Sequence, residues 1–202
     1  MTEYLAKKQL KHAVLIWLFI TLPAVLIEWL DLLQLVDVRF QRTLILNGEW
    51  WRLITGHLDH LGWVHFGLNA LFLALILMIL EPLQRMIFTL GVWLSSVTSI
   101  SLCLLLFSPE LVWYVGLSSS LYSLLIIGII LDVRFAIFAR TGVVALVFTK
   151  VWFEQGDQLP WVSQIISGPV AEASHLYGVA TGFITAIIIL CINRLRVNGA
   201  LH

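Results

Sequence analysis

The sequence predicts an all-α fold: a polytopic membrane protein built as a bundle of six transmembrane helices. Three observations carry that prediction. Six apolar stretches recur along the 202 residues, each near the about 20 residues that a helix needs to cross a bilayer. Hydrophobic residues make up 60% of the chain and charged residues 12%, where soluble domains have roughly 45–50% and about 25%. Basic residues gather in alternate connections. The formal net charge is zero, so the electrostatic footprint of a nucleic-acid-binding protein is absent, and the lipid bilayer is the expected surrounding partner.

The predicted spans follow in chain order. The first runs from His12 to Trp29, the second from Trp63 to Leu80, the third from Met86 to Phe107 and the fourth from Val115 to Leu131. The fifth, Phe135 to Phe153, is the weakest, because Arg140 and Lys150 interrupt it. Long basic side chains of that kind snorkel toward the headgroups, which predicts a tilted or mobile helix. The sixth runs from Ser174 to Ile192.

With six spans, Lys7, Lys8, Lys11, Arg85, Arg134, Arg140, Arg194 and Arg196 fall on one side, and Arg39, Arg42, Arg52 and Lys150 on the other. The excess predicts both termini in the cytoplasm of a multi-pass inner (plasma) membrane protein. The connections 30–62, 108–114 and 154–173 then face outward. The basic-then-apolar N-terminus reads as an uncleaved signal anchor, since Glu28, Trp29 and Asp31 follow it in place of a small-residue cleavage site. Residues 1–202 read as a single membrane domain. Without an inverted repeat or paired broken spans, the pattern of a transporter is missing.

Polar residues at membrane depth are costly and usually functional, and three clusters stand out. In "GHLDHLGWVHFGLN", residues 56–69, His65 and Asn69 are four apart and share a helix face. The cluster reads as interfacial histidines, as a helix–helix hydrogen bond or as a functional group. No HExxH pattern or other metal-ligand spacing accompanies it, so neither metal nor cofactor is expected. In "VGLSSSLYSLL", residues 115–125, three serines open the fourth span. Unpaired N–H groups at a helix N-terminus favour negative charge there. Successive residues turn by about 100°, so the three cannot share one face, and Tyr122 shares a face with Ser118. Small residues also let helices pack closely, so packing and nucleophilic readings both stand for the triplet. In "SHLYGVATGF", residues 174–183, Gly178 and Gly182 form a GxxxG near His175. It is a common packing motif, and here it offers a groove that would bring His175 toward Ser118. A serine, a histidine and preset donors are the minimum kit for acyl transfer. No aspartate stands out as a third member, so the expectation is a Ser–His dyad.

Together these motifs resemble the rhomboid intramembrane serine proteases over nearly the whole chain. The carriers are "WR" at Trp51–Arg52, "HLDHLGWVHFGLN", "GLSS" at Gly116–Ser119 and "HLYGVATG". The resemblance implies a rhomboid-like bundle in which Ser118 is the nucleophile and His175 the general base. His65 and Asn69 supply the oxyanion hole with the Ser118 N–H. His60 orders the first loop and a water-accessible cavity, Tyr122 supports the His175 ring by stacking, and Gly116 admits the substrate backbone. Gly178 and Gly182 pack the last helix, and residues 158–169 cover the site. It gives His57 no role. The compact chain, with "GEWWRLITGH" and "YVGLS", is most similar to the rhombosortase subgroup. That likeness implies a membrane-anchored substrate with a C-terminal Gly-Gly motif, a spanning helix and a basic tail. One position departs: Ser119 stands where the family keeps glycine after the nucleophile. The second reading is therefore an inactive rhomboid-like protein that binds membrane clients.

Overall fold

The computed structural model describes residues 2–156 and 171–199. Helix α1 (Thr2–Leu32) leads into an irregular segment that holds β1 (Phe40–Gln41), α2 (Arg42–Leu46) and α3 (Arg52–Thr55). Next come α4 (Trp63–Ile79), a 3₁₀ turn (Glu81–Gln84) and α5 (Met86–Phe107). Strand β2 (Trp113–Tyr114), α6 (Ser118–Leu131), α7 (Ile137–Glu154) and α8 (Glu172–Gly199) complete the order. The two strands pair antiparallel, Phe40 with Tyr114 and Gln41 with Trp113. Among the described residues, three helices are long and apolar enough to cross a membrane, namely α1 over Lys7–Leu32, α5, and α8 over Glu172–Asn198; α4 and α6 are shorter apolar helices.

Each predicted span overlaps a helix; the third matches α5 end to end and the others differ at their ends. The first helix extends well beyond His12 and Trp29. The fourth begins at Ser118 and not at Val115. The reason lies at Gly116, whose φ of 122° no L side chain adopts comfortably. Its N–H donates to the Gly56 carbonyl at 3.0 Å, so the lead into α6 is fastened to the first loop and not wound into the helix.

Helix α6 is the axis of the core. Leu121 and Leu124 are fully buried and pack with Ile16 and Ile20 of α1, Leu73 and Leu77 of α4 and Val97 of α5. Apolar burial of this kind comes with matched polar ties, because lipid leaves backbone and hydroxyl groups no water to bond. Trp17 Nε1 donates to the Ala70 carbonyl at 2.8 Å, joining α1 to α4. Ser96 and Ser123 share a 2.8 Å hydrogen bond between α5 and α6. At about 1.5 Å per residue, the 14 residues of α6 reach about 21 Å, short of the about 30 Å hydrocarbon core.

Two basic residues tie down the segments between the helices. The Arg42 guanidinium donates to the carbonyls of Leu104, Leu105, Ser108 and Leu111 at 2.6 to 3.0 Å. It neutralises the negative end of α5 while satisfying its last carbonyls. Arg52 is buried, donating to Glu49 Oε2 at 2.6 Å and to the Arg39 carbonyl at 2.9 Å.

On helix α7, Lys150 Nζ contacts Glu154 Oε1, one turn on, at 2.6 Å and donates to the Tyr122 hydroxyl. The expected covering loop, residues 158–169, lies outside the described residues.

Candidate active site

The close approach of α6 and α8 sets the site. A Cβ added to Gly178 would meet the Ser119 carbonyl oxygen, carbonyl carbon (2.9 Å) and Cα (3.2 Å). One added to Gly182 would lie 2.7 Å from the Ser123 carbonyl oxygen. Both glycines of the GxxxG thus face α6 backbone directly, as small residues do where helices touch. One turn before Gly178, His175 is carried against the start of α6, and its Nε2 lies 2.8 Å from Ser118 Oγ.

The three serines separate as their helical spacing requires. Ser118 is half-buried and meets His175. Ser120 is buried and its hydroxyl donates to the Leu117 carbonyl at 2.8 Å. Ser119 is buried on a different side, with Oγ 2.7 Å from the Tyr114 hydroxyl and 3.4 Å from His57 Nδ1. The Tyr114 hydroxyl donates to the Gly116 carbonyl. Ser101 donates to the Leu53 carbonyl at 2.7 Å, so His57 donates from Nε2 to Ser101 at 3.0 Å and keeps Nδ1 as an acceptor. The hydroxymethyl group at the family's glycine position thus enters a buried polar network and points away from His175. Burial pushes the His57 imidazole down to about 3, so it is neutral there.

His65 lies across Gly116. A Cβ at Gly116 would be 2.8 Å from His65 Cε1 and 3.2 Å from Nε2, so the bare glycine makes room for the ring. The Leu61 N–H donates to His65 Nδ1 at 3.3 Å, which puts the proton on Nε2, the nitrogen facing the Gly116 backbone. Asn69 is buried one turn along, and its Nδ2 donates to the His65 carbonyl at 3.1 Å. A side-chain amide has two N–H donors, so one remains. The His60 ring meets His65 edge-on, centroids 5.1 Å apart. His60 also lines a cavity of about 330 Å³ with Glu28, Asp59 and Val115. Burial holds His60 down to about 3 and pushes the Asp59 carboxyl up to about 6.

Two features differ from the sequence expectation. Tyr122 meets the His175 ring edge-on, with centroids 5.0 Å apart and planes at 63°, and does not stack flat upon it. The second is an acidic residue that the sequence reading missed. Glu154 Oε2 lies 3.1 Å from His175 Nδ1, the ring nitrogen opposite the one that meets Ser118. Glu154 and Lys150 are spaced i, i+4, which reads in sequence as an ordinary ion pair on a helix surface. Nothing local to α7 shows that this face meets α8. No group of three or more potential metal ligands occurs among the described residues.

The arrangement is that of a helical membrane protein with a hydroxyl–imidazole pair set in a close helix crossing. A family profile described as a rhomboid domain matches residues 47–192, and the chain belongs to the rhomboid family. Rhomboid proteins are typically intramembrane serine proteases that act on membrane-protein substrates within the bilayer. No curated protein matches the chain significantly.

Proposed function

We propose that the chain is a serine endopeptidase that cleaves a membrane-anchored protein near the outer membrane face, with Ser118 as nucleophile and His175 as general base. The 2.8 Å contact between Ser118 Oγ and His175 Nε2 carries this reading. Ser118 Oγ attacks the scissile carbonyl while its proton passes to Nε2. Negative charge then develops on the carbonyl oxygen, and preset donors are worth most at that point. The Ser118 N–H at the start of α6, His65 Nε2–H and the second Asn69 N–H supply them. Collapse breaks the C–N bond as the imidazolium returns its proton to the leaving amine. Water, or another amine acceptor, then releases the acyl group from Ser118.

The other residues serve that step. Gly116 leaves room for the His65 ring beside the start of α6, while His60 orders the loop and lines the cavity through which water arrives. Tyr122 supports the His175 ring, and Gly178 and Gly182 fix the crossing that sets the Ser–His distance. The bundle crosses the inner membrane six times with both termini in the cytoplasm, as the basic-residue asymmetry favours. Its motifs are most similar to those of the rhombosortases, and that likeness favours a substrate carrying a C-terminal Gly-Gly motif, a spanning helix and a basic tail.

The test is purified protein in nanodiscs, incubated with a Gly-Gly-tailed membrane substrate and read by mass spectrometry. Cleavage beside the Gly-Gly motif by the parent, lost in Ser118→Ala, supports the reading. Cleavage of other membrane substrates only would remove the rhombosortase assignment. A parent that cleaves none, yet retains the substrate, would favour the inactive client-binding reading.

A further inference from the structure

We infer that Glu154 is a positioning residue for His175, held in place by Lys150, so that the site works as a Ser118–His175–Glu154 relay and not as a two-residue dyad. The inference rests on the serine-protease reading above.

The geometry assigns each hydrogen. Ser118 Oγ–H donates to His175 Nε2 at 2.8 Å, so the single ring proton of the neutral imidazole sits on Nδ1. That N–H donates to Glu154 Oε2 at 3.1 Å. The other carboxylate oxygen, Oε1, accepts from Lys150 Nζ at 2.6 Å. Lys150 also donates to the Tyr122 hydroxyl, and the Tyr122 ring returns to the His175 ring edge. Three helices thus close one circuit: α6 gives Ser118 and Tyr122, α7 gives Lys150 and Glu154, and α8 gives His175.

A plain i, i+4 ion pair would explain less. Exposed pairs of that spacing contribute little, and a carboxylate gains nothing from burial by itself. Here the Glu154 side chain is only 10% exposed and the His175 side chain 9%. The oxygen that Lys150 leaves free is aimed at the one ring nitrogen whose proton fixes the reactive tautomer. As Ser118 gives its proton to Nε2, the ring becomes an imidazolium between hydroxyl and carboxylate. Glu154 stabilises that cation without taking its proton. When the C–N bond breaks, Nε2 gives the same proton to the leaving amine and the ring returns to its starting tautomer.

Glu154→Gln tests this in nanodiscs, with turnover, KM and thermal unfolding measured together. A glutamine amide can present an N–H to Nδ1, which favours the tautomer that cannot accept the serine proton. We expect kcat to fall by about 10²-fold or more, with KM and Tm close to the parent. Glu154→Asp, which keeps the carboxylate, should recover a large part of kcat. Lys150→Met should lower kcat by a smaller factor, since Glu154 keeps its hydrogen bond to His175 Nδ1 but loses the contact that steadies it. Parental kcat in Glu154→Gln, or a loss that follows Tm and is not rescued by aspartate, would overturn the relay while leaving Ser118 and His175 in place. A parent with no activity toward any membrane substrate or serine-directed probe would overturn the protease reading and the relay together.

Discussion

Gly178→Ala puts a single methyl group where the structure has none to spare. The new Cβ would lie 2.9 Å from the Ser119 carbonyl carbon and 3.2 Å from its Cα, and closer still to its carbonyl oxygen. These are backbone atoms, so no side chain can turn aside, and α6 and α8 must part. Optimal carbon contacts lie at about 3.5–4.0 Å, so the separation must grow by roughly 1 Å. Overpacking of this kind costs about 1–3 kcal/mol, a fall of several degrees in Tm. The larger effect is chemical. Ser119 is the residue after Ser118 and Gly178 lies one turn from His175, so the same displacement opens the 2.8 Å Ser–His contact. A misplacement of about 1 Å can cost about 10²-fold in rate. Turnover of a membrane substrate by the folded, reconstituted variant should fall by that order. Gly182→Ala, whose Cβ meets Ser123 at 2.7 Å, should destabilise similarly but slow turnover less, because it lies a turn further from Ser118. Gly142→Ala, with nothing within 4 Å and inside α7, should leave turnover unchanged and hold or slightly raise Tm. If Gly178→Ala turns over at the parental rate, the α6–α8 crossing does not set the Ser–His distance and the reasoning fails.

Other predictions follow from the same structure. Asn69→Ala removes the donor proposed for the oxyanion and should cost about 2.7–4 kcal/mol of transition-state stabilisation, read as a fall in kcat without loss of folded protein; unchanged kcat would remove Asn69 from the mechanism. Arg42→Met strips the donor from four carbonyls at the end of α5 and in the following loop. Charged hydrogen bonds contribute about 1.5–3 kcal/mol each, so the Tm in detergent should drop markedly, and a parental Tm would show the cap to be dispensable. The pH dependence has a definite sign. His57 and His60 are held near 3 against an ordinary 6.5, so their contribution is present above pH 6.5 and is lost as pH falls from there toward 3. Asp59, raised from 3.8 to about 6, acts oppositely and loses its contribution as pH rises through that window. Two histidines with larger shifts outweigh one carboxylate, so Tm should fall on acidification from pH 7 to pH 4.5, and a flat or rising Tm would contradict the buried neutral rings.

How much of this could be read from sequence varies by residue. The helices were legible because long apolar runs in a chain this poor in charge have few other folds. Ser118 facing His175 was legible because a GxxxG predicts close approach, helical spacing lets only one of three serines meet a given neighbour, and the resemblance of "GLSS" to the rhomboid motif picks Ser118 among them. The start of α6 was misplaced by three residues, since the apolar residues of "YVGL" hide a backbone tied to Gly56 and turned at Gly116. The orientation of Ser119 was not legible at all. Its partners, Tyr114 in β2 and His57 after α3, come from segments far apart in sequence, and their meeting depends on the pairing of β1 with β2. Glu154 was missed for a related reason. Its i, i+4 spacing to Lys150 is satisfied within α7, and only the packing of α7 on α8 shows that the second oxygen has another partner.

The central claim is that Ser118 alone among the three serines is the nucleophile, activated by His175. The most direct measurement is labelling of the reconstituted protein with a serine-directed fluorophosphonate, with the modified residue located by mass spectrometry of peptides. The label should sit on Ser118. It should be absent from Ser118→Ala and from His175→Ala, and it should persist in Ser119→Gly and Ser120→Ala. A label found on Ser119, or labelling that survives Ser118→Ala, would contradict the account.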